Sequence, residues 1–431
     1  MENKTMKNRS YMMFGRLLGI VALLVTMVAG GAKAQKALFV GNSYTYVNDL
    51  PGMLRSLSQS GGITLNTEMS APGGHTFMAH TSNATTLSFL GMPGFDFVIF
   101  QEQSQRPSFP QSQVQQEVYP YAAQLDSLYH VANPCGQSVF FMTWGRKYGD
   151  TQNCQFWQPV CTYEGMQVEL RRSYLNMAQQ NQAIVAPVGI AWWEAMRRDS
   201  LLELYSGDFS HPEVTGTYLA ACVFYSTLFR RPSLGLSYRS SLDSSTATFL
   251  QAVADDVVFD SLTTWRIGLD DLAVGFSHQD LGSGLVAFTE SAANATSWTW
   301  DFGDGNQSVM PNPQHSYAFS GSYVVSLTVS DGCDTLSMSD TVSVQLVSVN
   351  QGLSGQLKVF PNPAKSEVRL DLPLGAQMVV LKDATGRSVG VWTEQYPIKS
   401  WNIQIGNLPS GLYWITTDQV DNGSQKILKL P

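Results

Sequence analysis

Ala37-Leu38-Phe39-Val40-Gly41-Asn42-Ser43-Tyr44-Thr45 is the stretch on which the reading of this chain turns. Four apolar residues run into Gly-Asn-Ser and then into a segment with helical spacing. A strand buried on both faces of a parallel sheet reads as such an unbroken apolar run. A serine directly after it stands at the edge of the sheet, beyond the carboxyl end of the strand, where open α/β sheets bind ligands. Taken alone, that serine is most simply a helix N-cap. Far along the chain comes Asp208-Phe209-Ser210-His211-Pro212, a carboxylate three residues ahead of an imidazole. Hydroxyl, imidazole and carboxylate are the groups that nucleophilic acyl transfer requires.

The residues around this stretch alternate between two periodicities. Short apolar runs at 36–40, 63–70, 95–101, 138–144 and 183–189 predict strands. Helical patterns lie between and after them, at 50–59, 111–130, 165–180, 191–198, 213–229 and 246–265. Such alternation predicts a parallel sheet covered on both faces. The predicted organisation is an export signal over 1–34, an α/β domain over 35–268, and two further units over 270–348 and 355–431. In the signal, Lys4, Lys7, Arg9 and Arg16 precede an apolar stretch too short to span a bilayer comfortably, and Ala32-Lys33-Ala34 is a small-x-small cleavage site.

The chain has 431 residues, 44% hydrophobic and only 14% charged, with a formal net charge of −8. Residues 1–34 carry a net +4 from three Lys, two Arg and one Glu, which leaves −12 for the remainder. An acidic chain without a basic run excludes nucleic acid as an expected partner and suits a neutral substrate. Five cysteines, Cys135, Cys154, Cys161, Cys222 and Cys333, fit an oxidising destination. Cys154 and Cys161 flank a short loop and are the preferred pair; the odd count leaves one thiol over. No Cys/His spacing suits a metal, and no cofactor is implied.

Beyond residue 270 helical periodicity stops. Trp298-Thr299-Trp300-Asp301-Phe302-Gly303-Asp304-Gly305, then His315-Ser316-Tyr317 and the alternating run 321–329, predict strands and an Asp-Gly turn. This segment closely resembles a PKD-type immunoglobulin-like domain. Asp301 and Asp304 suggest a calcium site, although the turn is the simpler account. The last unit opens with Val359-Phe360-Pro361-Asn362-Pro363, carries Leu408-Pro409-Ser410-Gly411-Leu412-Tyr413 and ends on Lys426-Ile427-Leu428-Lys429-Leu430. In that order these motifs resemble the C-terminal sorting domain of type IX secretion cargo in Bacteroidetes. The resemblance implies the type IX machinery as a partner and a destination outside the cell or on its surface.

The first domain resembles the SGNH, or GDSL-like, hydrolases, which implies a three-layer, flavodoxin-like α/β fold ahead of two all-β immunoglobulin-like sandwich domains. The family's Gly-Asp-Ser block stands here as Gly41-Asn42-Ser43, its glycine block as Ala71-Pro72-Gly73-Gly74-His75-Thr76, and its Asp-x-x-His as Asp208 to His211. By resemblance Ser43 is the nucleophile, His211 the base and Asp208 its orienting acid. The N–H groups of Ser43 and Gly74 would hold the oxyanion. The family's Gly-x-Asn is missing. Gln101-Glu102-Gln103 follows the third strand instead, and a glutamine amide offers the same donors on a longer arm. Gln103 falls at the matching place, with Gln101 as runner-up.

For substrate, Tyr44 and Trp144 are candidate aromatic platforms, as are Tyr46, Trp192 and Trp193, and His75 is a candidate pocket-lining residue; the alternative is that the aromatics fill the core. His80 is expected to be a structural hydrogen-bonding residue, and Glu102 a partner for a neighbouring N–H. Together these readings imply a secreted serine esterase acting on an acylated carbohydrate or another small ester. The competing reading is a degenerate, non-enzymatic surface protein whose PKD domain makes the contacts.

Overall fold

The computed structural model of the protein describes residues 34–346, 357–418 and 424–431; the expected export signal lies outside them. No helix among the described residues is long and apolar enough to cross a membrane. The chain divides into two compact units, one running to Val344 and the other beginning at Gln345.

The first unit begins with five strands: β1 (Gln35–Val40), β2 (Leu65–Ser70), β3 (Phe97–Phe100), β4 (Gln137–Phe141) and β5 (Ile184–Ala186). They form one parallel sheet in the order β2-β1-β3-β4-β5. The helices are α1 (Ser43–Tyr46), α2 (Leu50–Ser60), α3 (Phe77–His80), α4 (Ala84–Leu90), α5 (Gln111–Glu117), α6 (Tyr119–Ala132), α7 (Tyr163–Gln180), α8 (Val188–Arg198), α9 (Val214–Phe229) and α10 (Ser244–Phe259). The strand order runs one way from β1 to β2 and the other way from β1 to β5. Right-handed crossovers then put the α2 connection on one face and the α4, α6 and α7 connections on the other. α9 returns across the α2 face, packed against α2, α8 and α10. It is apolar all round and buried along most of its length, as a helix enclosed on every side must be. Its Cys222 is the unpaired thiol, and burial pushes it up from its ordinary value.

Two sequence expectations shift in detail. The helix expected over 111–130 is two helices: Val118 leaves helical geometry (φ −122°), and Pro120, which has no N–H to bond back to Gln116, sits at the start of the second. The strand expected to reach Trp144 ends at Phe141.

The rest of the first unit is antiparallel: β6 (Phe276–Gly282), β7 (Leu285–Glu290), β8 (Ser297–Asp301), β9 (Gln307–Ser308), β10 (Gln314–Ser316), β11 (Gly321–Ser330) and β12 (Thr335–Val344). A three-stranded sheet, β10-β7-β6, and a four-stranded sheet, β12-β11-β8-β9, enclose a core around Trp300, Phe288 and Leu327. Asp304 is held by His315, whose Nε2 lies 2.7 Å away and whose ring stacks on Phe302 at 4.1 Å. Its other oxygen accepts from Asn306 N. The Asp-Gly turn therefore accounts for this carboxylate by itself.

The disulfide Cys154–Cys161 is present as expected. A second one, Cys135–Cys333, was not anticipated. Cys333 sits in the turn between β11 and β12, and Cys135 lies two residues before β4, at the amino end of the parallel sheet. Arg230 pairs with Asp271, and Asn294 Nδ2 donates to the Leu269 and Asp271 carbonyls, on the same junction. These links explain why the α/β and PKD-like parts form one unit.

The second unit comprises β13 (Lys358–Phe360), β14 (Glu367–Lys382), β15 (Ser388–Gln404), β16 (Gly411–Thr417) and β17 (Gln425–Lys429). β14 changes partners midway. Its first half lies between β13 and β15 and its second half between β15 and β16, with a bulge between Asp371 and Ala376. The two halves share one core that includes Val368, Leu370, Val379 and Leu381.

Candidate active site

β1 ends at Val40 and the chain must turn at once to expose Ser43. Gly41 permits this: a Cβ there would sit 2.5 Å from Thr45 Oγ1 and 2.7 Å from Gln101 Oε1, so only glycine fits. The Gly41 carbonyl accepts from His80 Nε2 at 2.8 Å, while His80 Nδ1 faces Thr86 Oγ1 at 2.8 Å. Burial lowers His80 to about 4, against the opposing effect of the Gly41 bond. His80 is thus a neutral brace, in line with its expected role.

Asn42 caps α1. Its Oδ1 accepts from Tyr44 N at 3.2 Å, and its Nδ2 donates to the His75 carbonyl at 2.9 Å. Its own N–H donates to Gln101 Oε1 at 2.9 Å. A carboxylate at this position could not donate to His75 O. This is a physical reason for Asn where the related block carries Asp.

The Ser43 Oγ and His211 Nε2 are 2.8 Å apart. His211 Nδ1 is hydrogen-bonded to Asp208 Oδ2. Asp208 Oδ1 accepts from Ser206 Oγ, Ser210 N and His211 N at 2.9–3.0 Å. Burial works to raise the Asp208 carboxyl, but the bonds from His211, Ser210 and Ser206 outweigh it and hold the acid well below the usual carboxylate range. It is ionised at neutral pH and fixes the imidazole with Nε2 turned to the serine.

The turn carrying His211 is clamped from several sides. Ser206 N donates to His211 O at 2.8 Å, Trp144 Nε1 to Ser210 O at 3.0 Å, and Asn48 Nδ2 to Pro212 O at 3.0 Å. Tyr44 Oη and Ser210 Oγ are 2.6 Å apart. Tyr44 meets the His211 ring edge to face, with centroids 5.5 Å apart.

Tyr44 and Trp144 are therefore not substrate platforms. Tyr44 stacks on Trp144 at 4.7 Å and Trp144 on Trp192 at 3.9 Å, all nearly parallel and all buried. No ring face of Trp144 is left free. The stack sets the position of the histidine turn, and Trp192 belongs to it. His75 is partly exposed, with its ring 5.2 Å from that of His80.

The expected oxyanion donors follow three different strands, β1, β2 and β3. Neither the Ser43 N–H nor the Gly74 N–H has a partner among the described residues. Gly74 has φ +70°, a conformation that favours glycine. Gln103 turns within its own loop: its Oε1 accepts from Gln105 N at 2.9 Å and its Nε2 donates to Gln105 Oε1 at 3.1 Å, with one amide hydrogen remaining. The alternative, Gln101, is fully buried; its Oε1 serves Asn42 N and Thr45 Oγ1, and its amide donates to Glu102 O. Gln101 is a brace beneath the serine loop rather than a rim donor.

Glu102 ties its own loop to the start of α3. Its Oε2 accepts from Phe77 N at 2.9 Å and its Oε1 from Gln103 N at 2.6 Å. Burial raises it to about 8 despite those bonds. The roles of Asn42, Glu102 and Ser210 depend on contacts between loops far apart in sequence, and only the Glu102 partnership with a neighbouring N–H was expected. Among the described residues no cluster of His, Cys, Asp or Glu could hold a metal ion.

Two family models match the chain. The PKD domain matches residues 285–346, and the secretion system C-terminal sorting domain matches residues 358–429. Solved structures similar to the chain include a DUF4886 family protein from Bacteroides uniformis, 16% identical over 53% of this chain and 95% of that one, with a TM-score of 0.46. A putative SGNH hydrolase from Slackia heliotrinireducens is 26% identical over 46% of this chain and 100% of its own, with a TM-score of 0.37. An acetyl xylan esterase from Geobacillus stearothermophilus is 17% identical over 49% of this chain and 99% of its own, with a TM-score of 0.34. The chain thus carries an α/β domain similar to the SGNH hydrolases, followed by a PKD domain and by the sorting domain that marks proteins exported through type IX secretion to the cell surface or beyond.

Proposed function

We propose that the α/β domain is a serine esterase that hydrolyses carboxylic esters, acetyl esters on carbohydrate foremost, through Ser43, His211 and Asp208. The observation that carries this reading is the unbroken hydrogen-bonded chain from Ser43 Oγ through His211 to an ionised Asp208.

His211 Nε2 takes the Ser43 proton as Oγ attacks the ester carbonyl, since a serine hydroxyl is a poor nucleophile unaided. Asp208 stabilises the imidazolium. The oxyanion is met by the Ser43 and Gly74 N–H groups and the remaining Gln103 amide hydrogen; losing one such donor costs about 3 kcal/mol in the transition state. The tetrahedral species collapses, the alcohol leaves with the proton from His211, and an acyl-Ser43 ester remains. Water then attacks that ester, giving its proton to His211, and the carboxylic acid departs as Ser43 regains its hydrogen.

The test is p-nitrophenyl acetate hydrolysis by the whole secreted chain beside Ser43→Ala. The expected result is a rate in the wild type that Ser43→Ala abolishes. Equal rates in both would sink the reading. The self-engaged Gln103 side chain is the observation that favours the second reading, a catalytically degenerate binding protein using the PKD domain. Absence of any turnover by wild type across acetyl, butyryl and acetylated-glycan substrates would decide for it.

A further inference from the structure

Beside the triad lies aromatic surface that the chemistry above does not use. Phe209, inside the Asp208–His211 turn, has φ +61° and is 45% exposed. Left-handed backbone disfavours a bulky side chain, and glycine or asparagine would occupy the position more readily. The turn holds Phe209 in place: its N–H donates to Ser206 O at 2.9 Å, and its carbonyl accepts from Lys147 N at 3.0 Å. Its ring meets that of Tyr148 edge to face at 5.0 Å, and Tyr148 is 61% exposed. Neither ring fills the core, and Phe209 belongs to the turn that carries the proposed base.

The same surface continues into a cavity. The Lys147 ammonium lies 5.8 Å from the Phe209 ring centroid and pairs with Glu203 at 2.5 Å. Lys147 also lines an open cavity of about 330 Å³, together with Tyr163, Glu164, Trp193, Met196 and Arg197. Tyr163 and Trp193 meet there edge to face at 6.1 Å.

The composition of this strip selects among occupants. An acyl chain fits an enclosed apolar pocket, whereas here charges of both signs surround open aromatic surface. A sugar chain has the complementary make-up: its C–H faces pack on aromatic rings, and its hydroxyls find both donors and acceptors. We propose that Phe209, Tyr148 and the Lys147–Trp193 cavity bind the polysaccharide chain on the leaving-alcohol side of Ser43, holding sugars that flank the acylated one. This inference rests on the esterase reading for its register with Ser43, but the binding it requires can be measured without turnover.

Isothermal titration of Ser43→Ala protein with unacetylated xylohexaose, cellohexaose and mannohexaose supplies that measurement. At least one hexasaccharide is expected to bind, and Phe209→Ala or Tyr148→Ala in the same background is expected to weaken it about tenfold or more. In the active protein the same substitutions should lower kcat/KM for the acetylated hexasaccharide, relative to p-nitrophenyl acetate, by about tenfold. Tyr148→Phe should preserve both. Phe209→Gly separates the ring from the backbone: a purely conformational role predicts intact glycan binding, and the platform role predicts its loss from a protein at least as thermally stable. The proposal is overturned if none of the three sugars binds, or if Tyr148→Ala leaves both binding and the substrate ratio unchanged. Failure of the esterase reading would show separately, as absence of p-nitrophenyl acetate turnover in the wild type.

Discussion

Asn42 holds two loops in register with one side chain, since its oxygen caps α1 and its nitrogen reaches the loop that carries Gly74. Replacing it with Asp keeps the cap and turns the second contact into a carboxylate facing a carbonyl. Asn42→Asp is therefore expected to lower kcat for p-nitrophenyl acetate by up to about a hundredfold, the cost of a displaced oxyanion donor. Its circular dichroism spectrum should match the wild type. A rate within error of wild type would show that the His75 contact does not place Gly74. Ser43, Asp208 and His211 stand out in the sequence as short motifs, and the structure joins their side chains by hydrogen bonds. The roles of Asn42 and Ser210 do not stand out, because their partners, His75 and Tyr44, arrive from other loops.

Among the elements, the loop after β3 carries a pH-sensitive contribution to stability through Glu102. Glu102 is raised to about 8 by burial, so the folded state holds its proton more tightly than the unfolded chain does. Its contribution to stability is full below the ordinary glutamate value and is lost as pH rises from about 4.5 through about 8, a loss of up to about 5 kcal/mol. Glu102→Gln should flatten that part of the stability profile, read by urea denaturation across the same pH range; an unchanged slope would exclude Glu102 as its source. The stacked Tyr44, Trp144 and Trp192 make a second prediction between elements. Trp144→Ala should cost about 3–5 kcal/mol of stability by leaving a cavity, where a surface platform would change KM alone. Thermal melts and kinetics on one sample distinguish the two. The strand pattern of this domain was legible because five apolar runs alternate with helical spacing. The fate of Trp144 was not, because a tryptophan beyond a strand end faces a ligand or a neighbour according to what α8 brings against it, and α8 brings Trp192.

Over the whole molecule, the Cys135–Cys333 bridge joins parts that the composition had separated into independent pieces. It closes a long loop, its cysteines 198 positions apart in sequence, and chain entropy alone gives such a link about 5 kcal/mol. The double variant Cys135→Ser/Cys333→Ser is expected to melt at lower temperature and in two steps, with p-nitrophenyl acetate kcat/KM retained within about twofold. A single transition at the wild-type temperature would show that the other contacts suffice. The sequence could count five cysteines but could not choose this pair, because the turn after β11 and the approach to β4 meet only in the folded unit. Cys135 precedes β4, whereas Ser43 follows β1, so the bridge and the serine occupy opposite ends of the parallel sheet. β12 starts two residues past Cys333 and runs for ten, so its far end stands about 30 Å from the bridge. The polypeptide leaves this unit from there. Tension on the end of β12 can thus pass through a covalent link into the amino end of the parallel sheet, the edge remote from Ser43.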